Sequence, residues 1–416
     1  MKKTILTYLI IFGFSCGIQA QETINTMFYN LLDFPEAPPS NRADILKTII
    51  DNYQPDLFMV CELQSEDGAN TILNTSLQTS DNRYMRADFV LNQSTTFTGL
   101  QQLVFYNSKK LILDSQDEII NRVRDINHYA FRLNTSDAAT NPIYLDVYVA
   151  HLKSSQGIEN EQLRADMASE LTNALESLPT DRFVLFAGDF NLYTSNESAY
   201  QELLDPTNAI VLKDPIDRAG NWHINTSFQD IHTQSTRISN SEFNNHGAGG
   251  GLDDRFDFIL ISENLQSSPE LKYVEDSYKA YGNNGNCFNN DINSSTCSGT
   301  EYSESTRENL YNMSDHLPVV MQLQTDQVLN LSDNLESKNY IHFKNGNIIT
   351  NSIMLEIDPI ILDNKIVLYN SMGQKIRSTI VNKTTMQIDA TNLSGGIYYI
   401  VLQNSISASP LKFIKL

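Results

Sequence analysis

The sequence is poor in positive charge. Its 416 residues include 29 lysines and arginines against 50 aspartates and glutamates, a formal net charge of −21 at pH 7. Residues 341–416 carry a small positive excess, so the acidic excess belongs to residues 21–340. So large an excess excludes long-range attraction to polyanions. If the substrate is a phosphate ester, metal ions and a few local arginines must overcome this field; otherwise the charge is a solubilising surface.

A membrane-spanning hydrophobic run is also missing. Lys2 and Lys3 followed by the apolar run Ile5–Phe14 predict a signal peptide over residues 1–20, with cleavage before Gln21. This run is too short to cross a bilayer, and no later run reaches the ~18 apolar residues that would be needed. We therefore expect an exported protein, secreted or held at the cell surface, without stable membrane insertion.

Cysteine is scarce, with four residues. Cys16 leaves with the signal peptide, and its use as a lipid attachment site is the weaker alternative. Cys61 lies in the apolar stretch LFMVCEL, which predicts a buried free thiol. Cys287 and Cys297 flank a polar loop. We expect them to pair in an oxidising compartment and to contribute about 2–3 kcal/mol; the alternative is two unpaired loop thiols.

The pattern along the chain predicts two domains. Residues 21–325 alternate apolar strand-like runs with helical patterns at 40–53 and 157–179. Several strand runs are apolar throughout, as in strands covered on both faces, so an α/β domain is expected. A polar linker follows at 326–340. Residues 341–416 show short strands and turns without a helix, which predicts a small all-β, sandwich-like domain.

What the sequence does contain is a set of polar residues where strands meet loops, the position at which α/β folds build sites. They are Asn30, Glu62, His151, Asp189, Asn191, Asp257, Asp315 and His316. Taken singly, each is more often a solvated loop residue or a hydrogen-bonded histidine. Together they offer oxygen ligands for a divalent cation in Glu62, Asp315 and Asn30. They also offer two imidazoles that can move protons near neutral pH.

The stretch VLFAGDFN concentrates this pattern. Because strand side chains alternate with period two, Asp189 and Asn191 are predicted to point the same way, and Gly188 to let another group approach the backbone. No Ser/His/Asp or Cys/His nucleophile motif, P-loop or dinucleotide fingerprint competes with this site. The glycine run at 246–254 predicts a flexible loop, because it has no strand ahead of it and helix behind it.

Six motifs carry a family resemblance: FYNLLDF, CELQ, AHLKSS, AGDFN, DRFDFILIS and MSDHLPV. Their order resembles that of the endonuclease/exonuclease/phosphatase superfamily, whose members are similar to deoxyribonuclease I, and it covers most of residues 24–324. The resemblance implies a four-layer α/β/β/α sandwich. Two central, mainly antiparallel sheets pack together in that fold, and helices cover them outside.

The resemblance also implies a metal and a general base. Glu62 and Asp315 match ligands of a catalytic Mg²⁺, with Asn30 in or beside the metal shell. Mn²⁺ in its place, or an added structural Ca²⁺, is an alternative. His316 matches the histidine that activates water as general base, oriented by Asp257.

The remaining positions match phosphate-handling residues. His151 resembles the phosphate-binding or leaving-group histidine. Asp189 and Asn191 resemble the pair that binds and polarises the phosphate and the nucleophilic water. Arg124 falls where the nucleases place a phosphate-binding arginine.

The chain departs from the family at one partner. Deoxyribonuclease I pairs its first histidine with a glutamate on an earlier strand, whereas the corresponding stretch here offers Gln101 and Gln102. A glutamine can orient His151 but cannot stabilise its cation.

The C-terminal segment resembles a second family. KIVLYNSMGQKI, IDATNLSGGIYYIVLQ and KFIKL are similar to the type A C-terminal sorting domain of the Bacteroidetes type IX secretion system. FKNG stands where the usual Pro-Asn-Pro is expected. The alternative is a permanent accessory domain that binds carbohydrate or the cell surface.

These patterns predict a secreted, metal-dependent phosphodiesterase, first of all a nuclease that hydrolyses extracellular DNA or RNA. A sphingomyelinase-like phospholipid phosphodiesterase or a small-molecule phosphatase is the alternative with the same chemistry. A non-catalytic surface adhesin is the alternative of another class. The expected partners are a nucleic-acid substrate and the type IX secretion machinery, and we expect a monomer.

Overall fold

The computed structural model describes residues 21–94, 100–329, 341–344, 346–362, 364–371, 373–403 and 411–416. The predicted signal peptide and most of the predicted linker lie outside the described residues. The chain divides into two compact units, Met1–Leu331 and Ser332–Leu416.

The first unit contains the longer strands and all the α-helices of the described residues. Its strands are β1 Glu22–Phe34, β2 Leu57–Leu63, β3 Tyr84–Arg86, β4 Gln101–Asn107, β5 Leu111–Ile119, β6 Ile126–Leu133, β7 Tyr144–His151, β8 Phe183–Asp189, β9 Leu212–Lys213, β10 Asp257–Ser262, β11 Lys272–Tyr273, β12 Lys279–Ala280 and β13 Val319–Thr325. Its α-helices are α1 Arg42–Tyr53, α2 Glu66–Thr71, α3 Ile158–Leu175, α4 Ser198–Leu203 and α5 Glu304–Met313. Short 3₁₀ or π turns add Ile72–Ser76, Thr226–Phe228, Ser241–Phe243, Glu263–Gln266 and Ser295–Cys297.

These strands form two sheets. Sheet A has the order β11-β13-β1-β2-β4-β3, with β12 also paired to β13, and sheet B has the order β5-β6-β7-β8-β10-β9. Each sheet contains one parallel pair, β1/β2 in sheet A and β7/β8 in sheet B. The other pairings are antiparallel.

The core shows how the sheets are stacked. Alternate residues of β7 serve different cores: Val147 and Val149 belong to the core shared with sheet A, whereas Tyr148 and Ala150 belong to the core that includes α3. The central strands of sheet B are therefore covered on both faces, which explains why β8 and β10 are almost entirely apolar and fully buried. The predicted four-layer α/β/β/α sandwich is confirmed.

The two predicted helices are present and slightly shorter than expected. The pattern at 40–53 forms α1, which buries Leu46, Ile49 and Ile50. The pattern at 157–179 forms α3. Within the part of the chain that the structure describes, no helix is both long and apolar enough to cross a membrane.

The second unit is all-β apart from a 3₁₀ turn at Pro359–Ile361. Its strands are β14 Ile341–Phe343, β15 Ile348–Ile349, β16 Ser352–Ile357, β17 Lys365–Asn370, β18 Lys375–Ile380, β19 Thr385–Asp389, β20 Gly396–Gln403 and β21 Leu411–Lys415. They form a three-stranded sheet, β14-β16-β19, and a five-stranded sheet, β15-β21-β20-β17-β18. Both sheets contribute to one apolar core, so the predicted small all-β domain is confirmed.

The cysteines behave as predicted. Cys287 and Cys297 form a disulfide across a sequence separation of 10 residues. Cys61 is a buried free thiol.

Candidate active site

Three of the predicted site residues lie side by side across sheet B. The parallel pairing of β7 with β8 places His151 opposite Asp189, and the antiparallel pairing of β8 with β10 places Asp257 on the other side of Asp189. Residues that pair directly in a sheet project from the same face. Strand register alone therefore brings an imidazole and two carboxylates together.

Sheet A contributes two more. Asn30 is fully buried, and its Nδ2 donates to Oε1 of Glu62 at 2.9 Å and to Oδ2 of Asp189 at 3.1 Å. Glu62 adopts a left-handed backbone conformation, φ 58°, one residue before β2 ends. Its Oε2 accepts from the backbone N of Asp33 at 3.1 Å. The Asn30 amide thus links the acidic groups of the two sheets.

His316 and Asp257 form a direct pair. Nδ1 of His316 lies 2.7 Å from Oδ2 of Asp257, and both side chains are buried. The carboxylate therefore fixes Nδ1 as the protonated nitrogen and leaves Nε2 facing the cluster. Nε2 lies 3.7 Å from Oδ2 of Asp189 and 2.6 Å from Nε2 of Gln234.

Asp315 is held by backbone and amide donors. Its Oδ2 accepts from the backbone N of Ala248 at 2.7 Å and from Nε2 of Gln234 at 3.1 Å. Its Oδ1 is buried without a hydrogen-bond partner among the described residues. Residues 246–254 form the predicted loop, and the backbone of Ala248 in this loop contacts Asp315. A Cβ on Gly247 would lie 2.8 Å from Cγ of Asp315, so the loop packs directly on the site.

The prediction about the side chain of Asn191 needs correction. β8 ends at Asp189, and Asn191 has φ 52°, so the period-two argument does not extend to it. A left-handed turn returns Asn191 to the site instead: its N donates to Oδ1 of Asp189 at 3.1 Å and its Nδ2 to the carbonyl of Leu152 at 3.4 Å. Gly188 does accommodate a close neighbour, but that neighbour is the carbonyl of Ala150 on β7.

His151 has carboxylates near both ring nitrogens. Nε2 lies 3.5 Å from Oδ2 of Asp189, and Nδ1 lies 3.9 Å from Oε1 of Glu62. Nδ1 has no hydrogen-bond partner in the described part of the chain. The two glutamines of the corresponding stretch have other contacts: Gln101 accepts from the backbone N of Asn92, and Gln102 donates to the Asp125 carbonyl.

Arg124 lies directly behind His151. Its Nη1 donates to the carbonyls of His151 and Leu152 at 2.9 and 3.0 Å, and the side chain is buried. Burial lowers its pKa, and the charges of Glu62 and Asp189 oppose this effect. These contacts fix the backbone that leaves β7.

Two carboxylates of the site, those of Asp189 and Glu62, have raised pKa values. Burial raises the pKa of Asp189 to about 7; the charge of His316 opposes the rise and that of Asp257 adds to it. Burial and then the charge of Asp315 raise the pKa of Glu62. Unpaired acidic groups crowded in a low-dielectric pocket are typical of sites that bind a cation or transfer protons.

The two histidines are shifted in opposite directions. Burial and the positive charge of Arg124 hold the pKa of His151 well below its ordinary value. Burial also lowers the pKa of His316, but the carboxylates of Asp257, Asp315 and Asp189 outweigh it and raise that pKa well above the ordinary value. The site thus contains one histidine biased to the neutral form and one biased to the charged form.

The donor set fits a divalent cation. The charge of Asp315 disfavours ionisation of Glu62, and Asp315 keeps one buried oxygen without a partner among the described residues. Ligand atoms of Glu62, His151 and Asp189 also lie within 4.8 Å of one another, as do those of Asp189, Asp257 and His316. Asp315 belongs to neither group, so the ligand trio of Glu62, Asp315 and Asn30 stays a prediction.

Gln234 is the residue of the cluster that the sequence did not point to. Its amide contacts both Asp315 and His316, and its backbone bridges to Asp254 and His316. It lies in the polar stretch HTQSTR, where neither an apolar strand nor a motif marks it.

Together the fold and the site define an α/β sandwich with a buried carboxylate–histidine cluster at the ends of its central strands, followed by a separate all-β unit. Residues 347–415 match the family model described as "Secretion system C-terminal sorting domain", which confirms the predicted sorting domain. No curated protein matches the chain.

Several solved structures are similar to the first unit. D. rerio TDP2 complexed with a single-strand DNA product is 14% identical, covers 72% of this chain and 98% of its own, and has a TM-score of 0.46. An endonuclease/exonuclease/phosphatase from Bacteroides vulgatus is 14% identical, covers 73% and 98%, and has a TM-score of 0.45. The human Nocturnin catalytic domain with a bound sulfate anion is 16% identical, covers 73% and 97%, and has a TM-score of 0.44.

Proposed function

We propose that the first unit is a metal-dependent phosphodiesterase, and most specifically a nuclease. The observation that carries the proposal is the convergence of the His316–Asp257 pair, Asp189 and the Asn30–Glu62 pair at one point between two sheets. Phosphodiester hydrolysis needs an activated water, stabilisation of charge on the phosphoryl oxygens and a protonated leaving group, and this cluster contains a group for each task.

Glu62 and Asp315, with Asn30 beside them, are the residues that would hold a divalent cation, Mg²⁺ or Mn²⁺. When bound, such a cation neutralises charge on the phosphoryl oxygens and polarises the phosphorus centre. Oxygen-only ligands of this kind suit both ions.

His316 is the proposed general base. Its Nδ1–H is held by Asp257, so in the neutral ring Nε2 is the atom that takes the proton from the attacking water, and Asp257 stabilises the imidazolium that forms. The carboxylates that raise the pKa of His316 would be offset in part by a bound cation, whose positive charge favours the neutral, basic form. The short contact between Nδ1 and Asp257 also keeps the ring proton on Nδ1 and the ring in one orientation.

Asp189 and Asn191 are proposed to bind the phosphate and orient the water. Asp189 lies between the two imidazoles, and its pKa of about 7 allows it to share a proton with a neighbouring group. His151, biased to the neutral form, can donate a hydrogen bond to a phosphoryl oxygen or to the leaving oxygen. Arg124 holds His151 in place through the backbone carbonyls and adds positive charge beside the phosphate.

A nucleic acid is the substrate class that we favour. A lipid enzyme is expected to expose an aromatic or apolar hairpin to the bilayer, whereas the single tryptophan, Trp222, is fully buried and its Nε1 donates to the Arg218 carbonyl. The test is to incubate the purified protein with supercoiled plasmid, RNA, sphingomyelin vesicles and 4-nitrophenyl phosphate, each with Mg²⁺ and with EDTA. Metal-dependent cleavage of plasmid or RNA supports the proposal. Hydrolysis of sphingomyelin or the monoester alone would replace the nuclease by the alternative substrate class.

Export is the second part of the proposal. The sorting domain at residues 347–415 supports delivery by the type IX secretion machinery to the medium or the cell surface. We propose that the enzyme acts there as a monomer on extracellular nucleic acid.

A further inference from the structure

A second polar cluster lies outside the proposed reaction centre. Nδ1 of His223 lies 2.6 Å from Oδ1 of Asp254, and its Nε2 lies 3.1 Å from Nε2 of Gln156. The His223 ring meets the Tyr193 ring edge-on, with centroids 5.1 Å apart. The imidazole is therefore fixed on three sides, yet it stays partly exposed.

This cluster is built on the segments that leave the candidate active site. Tyr193 follows Asn191 by two residues, and its carbonyl accepts from the backbone N of His223 at 3.3 Å. The carbonyl of Asp254 accepts from the backbone N of Gln234 at 3.0 Å, and the Gln234 side chain contacts His316. The cluster is thus continuous with the proposed reaction centre.

A buried arginine joins this cluster to the loop that follows β7. Nη1 of Arg164 donates to the carbonyls of Lys153 and Ser155, both at 2.9 Å, and its Nε donates to Oε2 of Glu197 at 2.7 Å. Oε1 of the same Glu197 accepts from the backbone N of Tyr193 at 2.9 Å. Arg164 is fully buried, so it fixes Lys153 and Tyr193 in one rigid surface.

Lys153 is a cation without an acidic partner. Its Nζ donates to the carbonyl of Ser154 at 2.7 Å, and no carboxylate of the described residues lies within ion-pairing distance. Its ammonium group is therefore free to contact an anion, which is uncommon in a chain of net charge −21.

A cationic and aromatic surface complements a chain of alternating phosphates and flat bases.

We infer that Lys153, Tyr193 and His223 form a substrate ledge that binds the neighbouring nucleotide of a polynucleotide, next to the phosphate being cleaved. Lys153 contacts the adjacent phosphate, and the Tyr193 and His223 rings contact its sugar and base. This inference rests on the proposed function and adds to it a preference for polymers over small phosphodiesters.

The experiment compares a short single-stranded oligonucleotide with bis(4-nitrophenyl) phosphate, which has no neighbouring nucleotide. We expect Lys153→Ala to raise KM for the oligonucleotide about tenfold, the effect of losing one charge-assisted contact, with kcat unchanged. The slope of log KM against log salt concentration should decrease by about 0.7, the value for one phosphate contact on a single strand. Tyr193→Leu should raise the same KM without changing the salt slope. Hydrolysis of the small diester should not change in either variant.

Lys47→Ala on α1 is the matched control, because that partly exposed lysine contacts Asp51 and the Gln78 carbonyl and none of the residues of the ledge. An unchanged oligonucleotide KM and salt slope in Lys153→Ala would overturn the ledge, and so would an equal loss on both substrates. A loss confined to sphingomyelin vesicles would replace the nucleic acid by a lipid surface and also overturn it. If the wild-type protein cleaves neither diester, the proposed function itself fails, and this outcome differs from every outcome that concerns the ledge alone.

Discussion

The His316–Asp257 pair gives the sharpest prediction about the reaction. We expect His316→Ala to lower kcat by about 10²–10⁴-fold, the range for loss of a general acid or base, which is about 3–5 kcal/mol in the activation barrier. Asp257→Asn should also be severe. An amide placed 2.7 Å from Nδ1 can donate to it, which would move the ring proton to Nε2 and block its basic lone pair.

Because the pair is buried, its substitution can also destabilise the fold, so controls for folding are needed. Removing the imidazole leaves the carboxylate of Asp257, which is 0% exposed, without its partner, and such a loss can cost about 3–5 kcal/mol of stability. Each variant must therefore be shown to be folded at the assay temperature by thermal denaturation. His128→Ala is a matched control. His128 lies on β6, outside the cluster, and its Nε2 is 2.8 Å from the buried carboxylate of Asp146. It should lose stability without a comparable loss in kcat per folded molecule.

The assay is kcat for plasmid cleavage at saturating Mg²⁺ for the two single variants and the double variant. If the residues act as one unit, the double variant should be little worse than His316→Ala alone. Fully multiplicative losses would show that they act independently and would refute the pairing. A wild-type kcat in folded His316→Ala would remove this histidine from the chemistry.

Three further predictions concern stability and domain structure. Gly188→Ala should destabilise the first unit by about 1–3 kcal/mol, because a Cβ there would lie 2.4 Å from the carbonyl oxygen of Ala150. Urea denaturation measures the free energy of unfolding. A value equal to that of wild type would show that the two strands can move apart without loss of stability. Burial lowers the pKa of His232 from 6.5 to about 4, so the unfolded state binds this proton more readily than the folded state. Stability should therefore be complete above pH ~6.5 and should fall by up to about 3 kcal/mol as the pH drops towards 4. His232→Asn should weaken that dependence, and an unchanged pH profile would contradict the assignment. A chain that ends at Leu331 should retain the wild-type kcat. A chain that ends at Thr325 should melt at a lower temperature, because it lacks the buried Leu329, which bridges to Thr135. Equal melting temperatures for the two chains would show that this bridge does not contribute to stability.

The strands that form the site were predictable because their signal is local. LFMVCEL predicts a buried strand, and β2 spans those same residues. The polar residues that end such strands are conspicuous against the apolar runs. The way in which these residues come together could not be predicted in the same way. Asp257 pairs with Asp189 although the two are far apart in the chain, and the order of the strands along the sequence does not give the register of their pairing.

The elements missed by the sequence patterns are those that tertiary contacts stabilise. Helix α5 has a largely polar sequence and buries Arg307, Leu310 and Met313, too few apolar residues for a clear helical period. Its start is marked by Ser303, whose side chain accepts from the backbone N of Thr306. Gln234 belongs to an irregular segment in which no periodicity exists.

The prediction for the side chain of Asn191 was wrong for a different reason. Strand alternation holds only while the strand continues, and β8 ends two residues earlier. A left-handed residue then reverses the direction of the side chain. Asparagine tolerates this conformation better than most residues, so its presence at the turn is explained by the backbone.

The most direct test of the central claim is the dependence of plasmid cleavage on Mg²⁺ concentration in wild type and in Glu62→Gln. The substitution keeps the size of the side chain and its contact with Asn30 but removes the charge that would hold the cation. Glu66→Gln, four residues away on α2 and paired with Arg86 at the surface, is the matched control. The account predicts EDTA-sensitive cleavage by wild type and by the control, and a loss of about 10²-fold or more in folded Glu62→Gln that added Mg²⁺ does not restore. Cleavage by Glu62→Gln at the wild-type rate with the same Mg²⁺ dependence would contradict it.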